Sequence, residues 1–303
     1  MIDVLPVDAP LTFTADSGGG VVADLDADFA ATVRRVSDGT ATLDVRDLGP
    51  SRGDGVFETL GVIGGHPQAV DAHLRRLTHS AALLELPTPN EAQWRYALHV
   101  AAASLSTENQ GGLKVVLTRG VEGTGVPTGW IVATQAAGTF PERESGIRVV
   151  TLDRGYSSDI AQRAPWLLPG AKTLSYAVNM AALREAKRRN SDDVIFVSSD
   201  GYVMEAPTST VILRFGDVVV TPRTDIGILA GTAQLSVFEF ASARGLRTEE
   251  RLLQASELTK ADAAWLVSSV RLASPITHVD GTPIAVDLEL TRAMNAALLA
   301  REV

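Results

Sequence analysis

The break from Gly138 to Gly146 constrains this chain more than any other feature. It contains Gly138, Pro141 and Gly146 with the charged Glu142, Arg143 and Glu144, a linker composition without an apolar period. On either side lie stretches rich in strand patterns. A chain of 303 residues exceeds one comfortable core, so the break reads as a boundary between domains. The expected organisation is an N-terminal extension over 1–30, a small N-terminal α/β domain over 31–137, a linker over 138–146 and a larger C-terminal domain over 147–303. A hydrophobic content of 45% is enough to fill both interiors.

Charge and residue usage exclude several classes of function. The formal net charge is −9, and no Lys/Arg block is long enough to form a basic stripe, which argues against a nucleic-acid partner. Arg184, Lys187, Arg188 and Arg189 form the densest basic cluster, and they fall at the end of an expected helix, where cations favour the helix dipole. There is no Cys, which removes disulfides, thiolate metal sites and cysteine nucleophiles. His73, His79 and His99 show no ligand spacing with carboxylates, so no metal is expected. No apolar run reaches membrane-spanning length, and Met1-Ile2-Asp3 lacks the basic start of a signal peptide; a cytoplasmic protein without a membrane partner is expected.

Periodicity gives an α+β chain with mostly hairpin-linked strands. Residues 20–22 suggest a short strand, and 33–45 a hairpin about Ser37-Asp38-Gly39. The glycine-punctuated turn Arg52-Gly53-Asp54-Gly55 leads into a strand through Ile63. Leu74, Leu77, Ala81 and Leu84 share one face of a helix from Val70, and Asn90 caps a second helix. Strands are expected at 113–119 and 129–134. In the second half, strands at 147–152, 193–198, 210–213, 218–222 and 264–268 accompany helices at 232–243, 255–260 and from Leu288.

Lys172 lies in Leu168-Pro169-Gly170-Ala171-Lys172-Thr173-Leu174, among small and apolar neighbours, just before a helical run that places Tyr176, Met180 and Leu183 on one face. Desolvation lowers the pKa of an ammonium and leaves an amine able to attack a carbonyl. The alternative is a Lys whose stem lies on apolar surface while its head reaches water. Glu205, before the hydroxyl-rich Thr208-Ser209-Thr210, is either a surface turn residue or a carboxylate with a cationic partner such as a protonated pyridine. Arg76, in His73-Leu74-Arg75-Arg76-Leu77, either faces solvent or forks onto a phosphate. Gly231-Thr232 opens a helix, which makes it a simple cap or an anion site.

Taken together and in this order, Gly53-Asp54-Gly55-Val56-Phe57-Glu58-Thr59, His73 to Leu77, Ala171-Lys172, Glu205 with Thr208 to Thr210, and Ile228 to Thr232 resemble the class IV family of pyridoxal-phosphate enzymes. The resemblance runs from about Val33 to the C-terminus. It implies the two-domain fold-type IV architecture, pyridoxal 5'-phosphate (PLP) as cofactor in an interdomain cleft, a small-molecule amine substrate and a homodimer. It further implies that Lys172 is the Schiff-base lysine and proton shuttle and that Glu205 faces the pyridine nitrogen. Arg76, Thr208, Ser209, Gly231, Thr232, Ser268 and Ser269 are the remaining expected cofactor contacts, with Glu58, Arg119 and Tyr176 near the substrate. Ala233 and Gln234 depart from the Thr and Arg of many members. The loop Gly120 to Gly125 lacks the Arg-x-His pair with which D-amino-acid transaminases hold a carboxylate. The expected activity is 4-amino-4-deoxychorismate lyase, giving 4-aminobenzoate and pyruvate, with an amino-acid aminotransferase of branched-chain or D-amino-acid type as the alternative.

Overall fold

The computed structural model describes residues 1–4, 29, 31–36, 42–136 and 138–301. They divide into two compact units, one of Met1–Ala137 with Lys172–Ser175, the other of Gly138–Ala171 with Tyr176–Glu302.

The first unit is an antiparallel sheet in the order β2-β1-β6-β5-β3-β4, from β1 (Ile2–Val4), β2 (Val33–Arg35), β3 (Gly55–Ile63), β4 (His66–Pro67), β5 (Gly111–Thr118) and β6 (Thr128–Gln135). Helix α1 (Leu48–Arg52) starts where Asp47 accepts the Gly49 N–H and ends at Gly53, whose φ of 74° suits glycine. Helices α2 (Val70–Leu83) and α3 (Glu91–Ala102) follow, the latter capped by Asn90 as expected. The buried side of α2 comprises Val70, His73, Leu74, Leu77, Ser80 and Ala81, the three-and-four spacing of an amphipathic helix. Residues 2–4, expected in an accessory extension, instead form a strand between β2 and β6, because their backbone supplies the pairing both neighbours need. The turn expected at Ser37-Asp38-Gly39 and the strand expected at 20–22 lie outside the described residues.

In the second unit one sheet runs β11-β10-β9-β12-β13-β7-β8, with β14 on β13. Its strands are β7 (Ile147–Asp153), β8 (Asp193–Val197), β9 (Thr210–Phe215), β10 (Val218–Pro222), β11 (Arg247–Arg251), β12 (Ala263–Ser268), β13 (Leu272–Val279) and β14 (Thr282–Pro283). The pairs β7/β8, β10/β11 and β7/β13 are parallel, which departs from the expected hairpin pattern. Helix α6 (Ala177–Arg188) carries the chain from β7 back to β8, and α7 (Thr232–Ala243) carries it from β10 to β11, the crossovers that parallel neighbours require. Helix α8 (Leu288–Leu299) packs on β13, and the buried Trp265 indole donates to Thr291 on α8 at 2.7 Å.

The segment expected as a linker, 138–146, contains the short helix α4 (Glu142–Ser145), held by Arg143 to the carbonyls of Val270 and Arg271 and by Glu144 to Arg292. One further expectation is corrected. On α6, preceded by the short α5 (Ile160–Arg163), the buried face is Ala182 and Ala186, whereas Met180 is 47% exposed. The helix starts at Ala177, so Lys172 precedes it in extended chain. No described helix is long and apolar enough to cross a membrane.

Candidate functional site

Lys172 is fixed through its backbone to β3 and α2. The Phe57 N–H donates to the Lys172 carbonyl at 3.0 Å, the Leu174 N–H donates to the Gly55 carbonyl at 2.9 Å, and Thr173 bridges Val56. Gly55 permits this approach, because a Cβ there would stand 2.8 Å from both the Leu117 carbonyl oxygen and Leu174 Cδ1. The Lys172 N–H donates to Ser80 Oγ at 3.1 Å. With the main chain held on both sides, Nζ lies 4.4 Å from the centroid of the Phe57 ring, within reach of a cation–π attraction.

Glu58, the residue after Phe57, is 1% exposed and turns towards α2. Arg76 donates Nε to Oε1 and Nη2 to Oε2, each at 2.7 Å, a bidentate fork. His73 Nδ1 lies 2.7 Å from Oε2. Burial pushes the Glu58 carboxyl up, but the charge and hydrogen bonds of Arg76, with the His73 contact, outweigh it and hold the group at about 2. Burial dominates at His73 and lowers its pKa against the opposing pull of Glu58. The pair is therefore a carboxylate and a neutral imidazole at neutral pH, with the His73 proton on Nδ1, where the carboxylate can accept it. Arg76, expected on a phosphate, here meets Glu58.

Two residues expected at the substrate are engaged elsewhere in the first unit. Glu58 has both oxygens on α2 because a position only 1% exposed offers no water to a charge. Arg119 donates Nε and Nη2 to Asp54, at 2.6 and 3.1 Å, and reaches the carbonyls of Leu84 and Glu85. It ties the turn before β3 to the end of α2.

The second unit holds the other expected groups. Glu205 follows a segment bonded to β8, where Phe196 donates to the Glu205 carbonyl at 2.8 Å, and its Oε2 accepts the Leu229 N–H at 3.1 Å. Its charge is felt at Tyr156, whose hydroxyl pKa is raised first by burial; Arg154 opposes that rise and Glu205 adds to it. Tyr176 Oη and Asn179 Nδ2 both donate to the Pro207 carbonyl, at 2.8 and 2.7 Å, anchoring the turn after Glu205. Thr208 is exposed at the tip of that turn, and Ser209 is buried with its Oγ accepting from Arg271 at 2.8 Å.

Helix α7 begins at Thr232 without a side-chain cap on Gly231. A Cβ at Gly231 would lie 2.3 Å from Thr210 Oγ1, so close approach rather than an unusual φ demands glycine there. Thr232 Oγ1 and Ser269 Oγ are 3.1 Å apart, and Ser268 ends the neighbouring β12. Helix starts carry first-turn N–H groups that lack intrahelical acceptors, so with these two hydroxyls beside it the start of α7 is a candidate anion site. Gln234 is buried and reaches Glu250 at 3.4 Å, so it adds no cation here.

Sequence reasoning missed His73, Ser80 and Arg271 as parts of these arrangements. The spacing of His73 and Arg76 by three on one helix is the signal that could have joined them to a single acceptor.

A profile of the family described as Amino-transferase class IV matches residues 55–279. A bifunctional aminodeoxychorismate lyase / D-amino acid transaminase of Mycobacterium tuberculosis is 44% identical over 82% of this chain and 91% of its own length. A fold IV-transaminase from Curtobacterium pusillum superposes with a TM-score of 0.87 at 53% identity, covering 90% of this chain and 95% of that one. The PLP-bound form of a hypothetical aminotransferase from Mycobacterium tuberculosis gives 0.83 at 41% identity, covering 87% of this chain and 95% of that one. The chain is an enzyme of α+β fold-type IV and belongs to the class IV amino-transferase family, whose cofactor is pyridoxal 5'-phosphate.

Proposed function

We propose that this enzyme is a 4-amino-4-deoxychorismate lyase releasing 4-aminobenzoate and pyruvate. The residues present fit the cofactor's chemical parts. The start of α7, with Thr232 and Ser269, suits a phosphate, the Glu205 carboxylate suits a protonated pyridine nitrogen, and Lys172 brings a primary amine on a fixed backbone. Gly231, Ser268, Thr208 and Ser209 complete the proposed contacts, while Arg76 is held on Glu58. When bound, the cofactor supplies an aldehyde carbon for the substrate amine and a ring that draws electrons from the adjacent C–H bond. Lys172 would then act as the base: its amine takes the proton from the amine-bearing ring carbon, enolpyruvate leaves as its C–O bond breaks, and that proton passes to the methylene carbon of enolpyruvate to give pyruvate. Aromatisation drives that step, so the protein mainly orients the leaving group and holds the proton. Glu205 would keep a bound pyridine nitrogen protonated.

The observation that carries the lyase reading is the engagement of Arg119 with Asp54 and two carbonyls, next to a Gly120 to Gly125 loop that holds no cation. An amino acid brings a carboxylate on its amine-bearing carbon and asks for a cation beside it; the amine-bearing carbon of aminodeoxychorismate has none. A second reading, amino transfer to a 2-oxo acid, is supported equally by the relative that carries both activities in its name. Incubation with aminodeoxychorismate, and separately with L- and D-amino acids plus 2-oxoglutarate, decides between them. Pyruvate and 4-aminobenzoate formed without an oxo-acid acceptor support the lyase; strictly acceptor-dependent turnover overturns it. A homodimer belongs to the same proposal, supported by Trp166, Leu167 and Val178 exposed at 74%, 56% and 55% on the second unit.

A further inference from the structure

Arg271 reaches away from its own turn in two directions. Its Nη1 donates to Asp193 Oδ2 and its Nη2 to Ser209 Oγ, both at 2.8 Å. Asp193 opens β8 at 2% exposure, and its other oxygen accepts the Val194 N–H at 2.8 Å. A carboxylate so buried requires a cation, and a planar fork serves an acid and a hydroxyl at once where an ammonium would not. Ser209 lies in the turn that follows Glu205, closed by the Ala206 N–H donating to the Ser209 carbonyl at 2.9 Å. Arg271 itself ends the turn between β12 and β13, and that turn carries Ser269, whose Oγ is 3.1 Å from Thr232 Oγ1. Arg143 grips the same turn by its backbone, donating Nε to the Arg271 carbonyl and Nη2 to the Val270 carbonyl, each at 2.8 Å. The next residue, Leu272, has a φ of 62°, a conformation that Leu seldom takes alone, so these contacts impose the shape of the turn.

We infer that Arg271 is a positioning residue that ties the Ser269 turn to the turn after Glu205, holding the phosphate-binding hydroxyls and the pyridine-facing carboxylate in one register. The inference rests on the cofactor assignment proposed above. Arg271→Met removes both bonds of the fork, and Arg271→Lys keeps the charge but not the two-way geometry.

Three measurements test it: PLP affinity of the apoenzyme, the shift that inorganic phosphate produces in the apoenzyme's melting temperature, and the pH titration of the holoenzyme's visible band. For Arg271→Met, PLP binding should weaken by roughly tenfold or more, the scale of a lost charge-assisted hydrogen bond. The phosphate shift should shrink, the band's titration midpoint should move, and Arg271→Lys should recover part of each. A role in stability alone would lower the apoenzyme's melting temperature and leave the other readouts at wild-type values, and that result overturns the inference. Should Arg271→Met fail to fold, Asp193→Asn removes the charge that holds one arm of the fork and should weaken PLP and phosphate binding in the same direction; wild-type binding in that variant also overturns the inference. A wild-type visible band that survives in Lys172→Ala sinks the cofactor assignment itself, and the inference with it.

Discussion

His73 Nδ1 and Glu58 Oε2 lie 2.7 Å apart, each residue 1% exposed, and one of the two is charged. Their pKa values are both depressed relative to the unfolded chain, His73 from 6.5 and Glu58 from 4.5 to about 2. A group whose folded pKa is depressed stabilises the fold above its unfolded pKa, because below it the unfolded chain binds the proton more readily. The His73 contribution is therefore intact above pH 6.5 and is lost as pH falls below that value. The Glu58 contribution is intact above pH 4.5 and is lost as pH falls towards about 2. Urea denaturation as a function of pH should show two successive losses of stability. His73→Asn, which keeps a donor towards Glu58 but does not titrate, should abolish the upper one and keep the lower. An unchanged upper slope in that variant would refute the buried neutral imidazole.

Gly231→Ala tests the start of α7. The backbone there has a φ of −74°, which any residue adopts, so the effect of the methyl group comes from its meeting with Thr210 Oγ1 at 2.3 Å. Overpacking of this kind costs about 1–3 kcal/mol. The helix start should also shift, so PLP affinity should fall with stability. Thr210→Ala on the same chain opens the space, and the double variant should regain most of both losses. If the single variant is as stable and binds PLP as tightly as wild type, the close approach is not what demands glycine.

Arg119→Ala separates a structural arginine from a substrate-binding one. Side-chain exposures of 37% and 30% for Arg119 and Asp54 screen their ion pair, so its loss with the carbonyl contacts should cost about 1 kcal/mol, read as a lower melting temperature. KM for the preferred amine should change by less than about twofold, within what a distant substitution causes. A large rise in KM with unaltered stability would return Arg119 to the substrate.

Much of this arrangement was legible in the sequence because it is local. Gly231-Thr232 at a helix start and the apolar face of α2 each announce themselves within a few residues, and the strand patterns found most of both sheets. Relationships across the chain were not legible. Glu58 meets Arg76 across 18 residues and Arg271 meets Asp193 across 78, and no period marks such a pair. Parallel pairing of β7 with β8 escaped notice because a buried strand reads alike in either direction. The exposed Met180 misled for a different reason: apolar spacing on α6 says which residues share a face, and Ala182 and Ala186 form the face that is covered in the chain.

Glu205→Gln tests the proposal that Glu205 serves the ring nitrogen, apart from the shape of the site. The Leu229 N–H donates to Glu205 Oε2 at 3.1 Å, and a Gln amide oxygen can accept the same bond, so the turn and the start of α7 should keep their positions. The negative charge is what disappears, and with it the means of keeping a pyridine nitrogen protonated. On that proposal, electron withdrawal from the substrate C–H bond should weaken and proton removal by Lys172 should become the slow step. The expected outcome is a fall in kcat of about 10²–10⁴, the range in which loss of a proton-handling group is felt, with near-normal PLP content and melting temperature. A deuterium label on the substrate carbon should give a larger isotope effect on kcat in the variant than in wild type. If PLP content collapses instead, Glu205 holds the cofactor in place rather than tuning it; if kcat is unchanged, another group keeps the ring protonated.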